Sequence, residues 1–553
     1  MEHKNIIYVL AAIVAIGLGF VYYVEGKFES DRTEYEEVEQ SSEEPVETTQ
    51  GYGVSSSHPL ATQAGIDVLD QGGSAVDAAI AVSYMLGVVE PYGSGIGGGG
   101  GMLVMPGGEN SEPVSYQYRE TVPKSGIPDN NFGVPGIVKG MEAVHEDYGT
   151  MEMSELIQPA IEKAEEGFKV DKHLTNRLEG AAHRMRISEL ETFFPEGEAV
   201  QPNDVIVQQE LADNLKKIQS EGSSALYSGS IGKQLAQNIQ GLEQSDLGNF
   251  QVEVGEPSHG TFAGMDVYSA PPPLSGTTLI QSLQMAETLD IASSQSSNAD
   301  YMHLIGEISK RAYDNRLDTI GDPNFIDVPK DQLTSQEFTT QLADDISMDE
   351  LSQNYEVDDS MAADEEHTDT THFVVVDENG QMVSATHTLS NFFGSGQEVG
   401  GFFLNDQLKN FSADEDSPNS IEIGKSPRSF MSPTILRSED RTMGLGSPGG
   451  SRIPMILSQV LTKHLIFDEP LENTLEQPRF YIEDDSIFLE EQADQEVVSE
   501  LESRGYNVYL NERSSLYGGV QTLIMDKAED RLYGGADPRR SGRAIIKQSE
   551  SSN

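Results

Sequence analysis

The sequence predicts a layered α/β (α+β) body, and three observations carry that expectation. Residues 372–388 (HFVVVDENGQMVSATHT) are two β-rich runs joined by Glu378-Asn379-Gly380, and Asn-Gly between such runs is the strongest short-range hairpin signal. Apolar residues recur at helical spacing from Leu60 to Val89, and amphipathic stretches follow at Leu156–Glu166, Leu211–Glu221 and Ala299–Asn315. Strands and helices distributed in this way stack as layers that bury one another's apolar faces.

The elements follow in order. Residues 6–24 (IIYVLAAIVAIGLGFVYYV) are an unbroken apolar run about as long as the roughly 20 residues that cross a bilayer. A signal peptide has a shorter apolar stretch, about 7–15 residues, closed by a small-x-small cleavage site. This run instead ends in Tyr22, Tyr23 and Val24, so residues 1–26 read as a retained signal-anchor, one transmembrane helix. Removal of that segment would make the protein a secreted one. Residues 27–50 are Glu/Ser/Thr-rich and read as an acidic disordered stalk. Order begins near Gly51. Gly72-Gly73 divides the following helical stretch in two, and the second helix, Ala75 to Val88, is so apolar that it must be buried. The glycine run Gly97–Gly101 leads into the strand Met102–Met105. Residues 95–100 match G-x-G-x-x-G, but a dinucleotide fingerprint follows a strand and opens a helix, the reverse of the order here. The run therefore reads as tight backbone packing. Residues 341–369 are acidic and poor in apolar residues, a linker. After the hairpin come short strands at Gly401–Leu404, Ser432–Leu436 and Met443–Gly446, then a helix from Ile453 to Phe467.

Composition excludes more than it selects. Ninety-two acidic against 35 basic residues give a formal charge of −57 over 553 residues. Nucleic acid and anionic membrane surfaces both need a basic patch, so neither is an expected partner. A surface this acidic repels itself, and salt relieves the repulsion, with a Debye length of roughly 3 Å near 1 M. There are no cysteines, which removes disulfides, zinc-thiolate and iron–sulfur sites, a cysteine nucleophile and a lipid-bearing cysteine. No G-x-S-x-G elbow and no H-E-x-x-H helix is present, and His367 and His372 make a poor metal pair. No metal and no cofactor is expected.

What remains is a threonine that could become a chain end. Hydroxyl attack on an amide needs a base, and a freed α-amino group, with a pKa of about 7.7–8.0, is one carried by the nucleophile's own residue. Asp369-Thr370 stands where the acidic linker meets the first hairpin strand. Taken alone, Thr370-Thr371 before a strand expresses β-propensity and nothing more.

The neighbouring segments change that reading. GVSSSHPLATQAGIDVLDQGGSAVDAAIA (53–81), Tyr118-Arg119-Glu120-Thr121, GVPGIVKG (133–140), LIQPAIEKAEEGFKV (156–170), YSAPPPLSG (268–276), TTHFVVVDENG (370–380) and SPGGSRI (447–453) occur in this order. Together they resemble the γ-glutamyltranspeptidase family of N-terminal-nucleophile hydrolases, from Gly53 to the C-terminus. The resemblance implies a four-layer αββα sandwich that cleaves itself between Asp369 and Thr370. Residues 51–369 would form a large subunit and residues 370–553 a small one, and the two would stay associated. It further implies that Thr370 attacks a γ-glutamyl carbonyl, that Thr388 bonds near it, and that the N–H groups of Gly449 and Gly450 hold the oxyanion. Arg119, Gln407, Asn410 and Ser429 are then the substrate-binding positions.

Three departures from the typical pattern stand out. Asn410, in NDQLKNF, replaces an aspartate that grips a free α-ammonium; Phe430 replaces a second serine after Ser429; and the segment between Phe411 and Arg428 is shorter than the usual lid loop. These, with FMSPTI (430–435), LSNFFGSG (389–396) and Arg539-Arg540, resemble the branch of the family that depolymerises poly-γ-glutamate capsule. That branch implies a γ-linked polymer as substrate, transfer to water or to an amine acceptor on peptidoglycan, and an address on the extracellular face of the membrane. Arg428, Arg539 and Arg540 are candidates for polymer carboxylates, with ordinary ion pairing as the competing role. Two other functions stay open: a hydrolase or transferase of small glutathione-like compounds, and a surface scaffold that kept the fold without the chemistry.

Overall fold

The computed structural model describes residues 48–49, 51–108, 111–352 and 368–548. The predicted anchor, almost all of the stalk and most of the acidic linker lie outside the described residues. Among the described residues no helix is long and apolar enough to cross a membrane.

Two seven-stranded sheets organise the chain. One has the spatial order β13-β1-β7-β8-β2-β3-β4, where β1 is Gly51–Ser56, β2 Gly99–Met105, β3 Val114–Tyr118, β4 Glu253–Gly255, β7 Thr368–Val376, β8 Met382–Asn391 and β13 Arg543–Gln548. The other comprises β5 (Ser258–Phe262), β6 (Met265–Ser269), β9 (Thr434–Arg437), β10 (Arg441–Gly446), β11 (Gln521–Asp526) and β12 (Arg531–Ala536), with the two-residue strand Thr48–Thr49 at one edge. Its order from that edge is β12-β11-β10-β9-β6-β5.

Period-two alternation along β7 decides how the sheets stack. Val374 and Val376 join Leu103, Met105, Met382, Ile435 and Leu523 in a core between the sheets. Phe373 and Val375 face the other way, into a core shared with Ala79, Ile80 and Val82 of the helical layer. Helices α1 (Pro59–Asp70) and α2 (Ala75–Val89) cover the first sheet; α3 (Gly276–Thr288) and α5 (Ile453–Leu461) cover the second, and α4 (Asn298–Thr319) packs on both of these. Helix, sheet, sheet, helix is therefore the order of layers. All of α2 except Gly87 is buried, as its composition requires. Its N-terminus is closed by a reciprocal cap between Ser74 and Asp77. A second acceptor comes from the hairpin turn, where Asp377 takes the N–H of Ala75 at 2.9 Å and those of Asn379 and Gln381 at 2.9 and 3.0 Å. The predicted Asn-Gly turn thus also fixes where the hairpin meets the helix.

The glycine run packs as expected. A Cβ at Gly98 would stand 2.5 Å from the carbonyl oxygen of Thr388, and one at Gly100 2.4 Å from that of Thr386. Only hydrogen at these positions lets β2 lie against β8. The expected strand Gly401–Leu404 shortens to Phe402–Phe403, and the last predicted helix ends at Leu461 and continues to Ile466 as a wider π-turn. Short edge elements are set by what packs over them, which local pattern does not encode.

Candidate active site

Thr370 lies on β7 directly opposite Thr388 on β8, and the ladder breaks register between Asp369 and Thr370. The skipped residue is Leu389, so β8 carries a bulge opposite the Asp369–Thr370 peptide, just where the backbone would be cut. Thr370 is buried yet lines a cleft open to solvent, with Thr388, Ser390, Gln407, Ser429 and Gly450 among its walls. The Thr388 hydroxyl oxygen accepts the N–H of Ser390 at 2.9 Å, which bends the chain at the cleft's edge: Ser390 has φ +81°.

Opposite the threonines the chain turns through Gly449 (φ +144°) and Gly450 (φ +61°), enters a single 3₁₀ turn and continues into α5. Two successive residues in conformations that side chains avoid can aim consecutive N–H groups one way, and the positive end of α5 lies behind them. That arrangement suits a developing oxyanion.

The substrate wall is a chain of side chains. Arg119, at the end of β3, is buried; its Nη1 is 2.9 Å from Glu120 and its Nη2 donates to Gln407 at 3.1 Å. Asn410 Nδ2 donates to the same Gln407 oxygen at 2.8 Å and reaches Ser390 at 3.4 Å. Burial pushes the Glu120 carboxyl up to about 7, and the adjacent Arg119 charge opposes that rise. Ser429 is half-buried on the cleft wall and its hydroxyl oxygen accepts from Met431 N. Phe430 lines the cleft with the guanidinium of Arg316 3.7 Å above its ring and the ring of Tyr313 beside it. Its position therefore offers a cation-backed apolar surface where a serine would have offered a hydroxyl.

Two histidines stand near Thr370, and neither is suited to act as a base for its hydroxyl. Burial depresses His372 and His387 to about 3 each. His372 Nδ1 is 2.8 Å from Thr386 Oγ1, and His387 Nε2 is 2.8 Å from the Tyr118 hydroxyl. They act as buried polar spacers. A neutral imidazole of so low a basicity is a far weaker proton acceptor than an α-amino group.

The arginine candidates separate. Arg540 is buried and its Nη1 is 3.5 Å from the carbonyl oxygen of Thr370, so it belongs to the site. Arg428 and Arg539, candidates for polymer carboxylates with ordinary ion pairing as the competing role, make contacts within the fold. Arg428 is buried and its Nη1 donates to the carbonyls of Arg316 and Leu317 at 3.1 and 3.0 Å near the end of α4. Arg539 forks onto Glu490 at 2.6 to 3.0 Å, bonds Asp537 at 3.1 Å, and caps the carbonyls of Leu475 and Gln477 at 2.7 Å each. Arg479 joins the same cluster, 2.5 Å from Asp537. A buried guanidinium with its donors so occupied holds the fold together. Sequence reasoning missed Ser390, Glu120, Arg316 and Tyr313 as parts of the site. Only Glu120, next to Arg119, left a local signal; the others reach the cleft through tertiary contacts.

A threonine hydroxyl opposite a bulge in the neighbouring strand, facing a glycine turn at a helix N-terminus inside a helix–sheet–sheet–helix body, fits a hydrolase of the N-terminal-nucleophile class. Comparison with known proteins agrees. The family model for gamma-glutamyltranspeptidase matches residues 61–546. The capsule biosynthesis protein CapD proenzyme of Bacillus anthracis is 43% identical over 492 residues, covering 89% of this chain and 90% of that protein. A glutathione hydrolase proenzyme of Escherichia coli (strain K12) is 33% identical over 543 residues, 91% of this chain and 92% of that one. The crystal structure of cephalosporin acylase from Bacillus halodurans superposes with a TM-score of 0.82 over 91% of this chain and 96% of its own, at 24% identity, a likeness of fold alone. The chain belongs to the gamma-glutamyltranspeptidase family.

Proposed function

We propose that this enzyme cuts itself between Asp369 and Thr370, then uses Thr370 to cleave poly-γ-glutamate and pass the acyl chain to water or an amine. The observation that carries this reading is the placement of Thr370, opposite Thr388, at the ladder break on a cleft that Gly450 also lines. In self-cleavage the Thr370 hydroxyl attacks the Asp369 carbonyl and the amide becomes an ester. Water hydrolyses that ester, leaving a carboxylate on Asp369 and a free amine on Thr370. In turnover that amine takes the hydroxyl proton as Oγ attacks the γ-carbonyl, and the proton then leaves with the departing amine. The N–H groups of Gly449 and Gly450 hold the tetrahedral oxyanion, a donor pair in which each member is worth on the order of 3–4 kcal/mol. Water or an amine acceptor, such as one on peptidoglycan, attacks the resulting γ-glutamyl-threonyl ester. Arg119 and Ser429, backed by Gln407, receive the substrate carboxylate, and Arg540 stands ready for the next one along a polymer.

Asn410 favours the polymer. It cannot supply the negative charge that a free terminal ammonium requires, whereas an internal residue presents only an amide nitrogen. The large subunit would be residues 51–369 and the small subunit 370–553. Residues 1–26 would hold both at the extracellular face of the membrane on the stalk 27–50. A second reading, a hydrolase of small glutathione-like compounds, is supported by the 33% identity to the glutathione hydrolase proenzyme of Escherichia coli.

The test is a denaturing gel and a polymer-length assay on the full chain. Wild type should run as two fragments, the smaller beginning at Thr370, and shorten poly-γ-glutamate. Thr370→Ala should run as one band and leave the polymer intact. Turnover of γ-glutamyl anilide with no shortening of polymer would select the small-molecule reading. An uncut chain that is fully active would overturn both.

A further inference from the structure

Over its last four residues, Phe373–Val376, β7 is held from both sides, by β8 on one and β1 on the other. The β1 ladder, however, begins only at Phe373, opposite Ser56. Thr370, Thr371 and His372 therefore pair with β8 alone. In the place where β1 would continue stands a chain of three buried side chains. Thr371 Oγ1 meets Ser57 Oγ at short range, and Ser57 Oγ donates to Glu90 Oε2 at 2.8 Å. Thr371, Ser57 and Glu90 are 0%, 2% and 3% exposed, so water does not compete for these bonds. Their direction is determined. Ser57 has one proton and gives it to the carboxylate, so the Thr371 hydroxyl must be the donor to Ser57.

Glu90 also shapes what lies over the nucleophile. It follows α2, and its carbonyl accepts the N–H groups of Gly93 and Ser94 at 2.9 and 3.1 Å. That turn lays Gly93 on Thr370: a Cβ at Gly93 would meet the C, O and N atoms of Thr370 at 3.6 to 3.8 Å. One residue thus fixes the cover of Thr370 by its backbone and the neighbour of Thr370 by its side chain.

Resting on the reading of Thr370 as a nucleophile freed by self-cleavage, we propose that Glu90, acting through Ser57 and Thr371, is a positioning residue that keeps the new chain terminus in place. Before the cut, Thr370 is tethered covalently on both sides, and Asp369 still pairs with Ser390. Afterwards one tether is gone, and the side-chain clamp on residue 371 replaces it. The clamp matters for turnover and little for the cut.

Three single variants of the full chain, and one double variant, test this: Thr371→Val, which keeps shape and removes the hydroxyl; Thr371→Ser, which restores it; Glu90→Gln; and Thr371→Val combined with Glu90→Gln. Fragments are read on a gel, and kcat and KM are measured with a γ-glutamyl anilide. Thr371→Val and Glu90→Gln should still be cut, with kcat lower by on the order of 10- to 100-fold and KM within about twofold, the signature of a misplaced nucleophile. Thr371→Ser should return kcat to within about threefold of wild type, and the Thr371→Val/Glu90→Gln pair should be no slower than the slower single variant, since both break one chain. Cut Thr371→Val with wild-type kcat, or Thr371→Ser as slow as Thr371→Val, overturns the positioning role while leaving the nucleophile standing. Failure of all three single variants to fold assigns the triad to structure and also overturns the role. An active wild type with an intact backbone at residue 370 sinks the nucleophile reading itself, and this proposal with it.

Discussion

Replacing Gly98 by alanine perturbs the pairing of β7 and β8 beside Thr370 without touching either threonine side chain. The new Cβ would stand 2.5 Å from the carbonyl oxygen of Thr388 and 2.9 Å from Leu389 Cδ2, against an ordinary contact of 3.4 Å or more. The nearest obstacle is backbone, so no side chain can swing away. The β8 strand must retreat by roughly 0.9 Å at the residue that faces Thr370, and a displacement of about 1 Å at a catalytic group costs on the order of 10²-fold in rate. That is about 2.7 kcal/mol of barrier. Overpacking should cost a further 1–3 kcal/mol or so of stability, to be read separately. Gly180→Ala is the control: no atom lies within 4 Å of its Cβ site in the helix Lys172–Ala181, so a slight gain of about 0.4–1 kcal/mol is expected. Melting curves, the fragment pattern and kcat with a γ-glutamyl anilide distinguish the two effects. A folded Gly98→Ala enzyme within threefold of wild-type kcat would refute the claim that this close approach sets the geometry of the threonine pair.

Arg539→Ala should destabilise by roughly 3–5 kcal/mol, because Glu490 and the fully buried Asp537 lose a buried partner, while activity per folded molecule changes little; loss of polymer binding with an unchanged melting temperature would restore Arg539 to the substrate. His372 and His387, held at about 3, stay neutral in the fold while the unfolded chain protonates near 6.5. Stability they contribute is therefore intact above pH 6.5 and declines as pH falls from there toward 3, by up to about 1.4 kcal/mol per unit for each. Their ring resonances should stay flat down to pH 5 in an NMR titration, and a midpoint near 6 for either would disprove the assignment. The charge of −57 predicts an unfolding midpoint that rises with potassium chloride from about 0.1 to 1 M as self-repulsion is screened. Activity on poly-γ-glutamate should rise over the lower part of the same range, since enzyme and polymer are both anionic; a flat salt response in both assays would contradict this account.

Local chemistry was enough to read the hairpin, the buried helix and the glycine packing. Asn379-Gly380 between two β-rich runs permits few alternatives, α2 is too apolar to be exposed, and Gly97–Gly101 lies in the wrong order for a dinucleotide fingerprint. Thr370 stood out as a candidate for a related reason: the acidic linker and the strand meet there, and the surrounding motifs resemble one family in order. The roles of long charged side chains were not legible. Arg428, Arg539 and Arg540 are equivalent as sequence, yet one crosses carbonyls at the end of α4, one neutralises buried acids, and one reaches the backbone of Thr370. A guanidinium on a flexible stem takes whatever acceptor the tertiary fold brings within reach, and those acceptors come from segments far away in the chain. The same holds for Glu90, Ser57 and Thr371, three ordinary residues whose hydrogen-bonded chain exists only because α2 ends beside the point where β1 stops pairing with β7. Periodicity and turn chemistry act between neighbours and so are written locally; burial and pairing depend on which distant surfaces meet, and only the folded chain decides that.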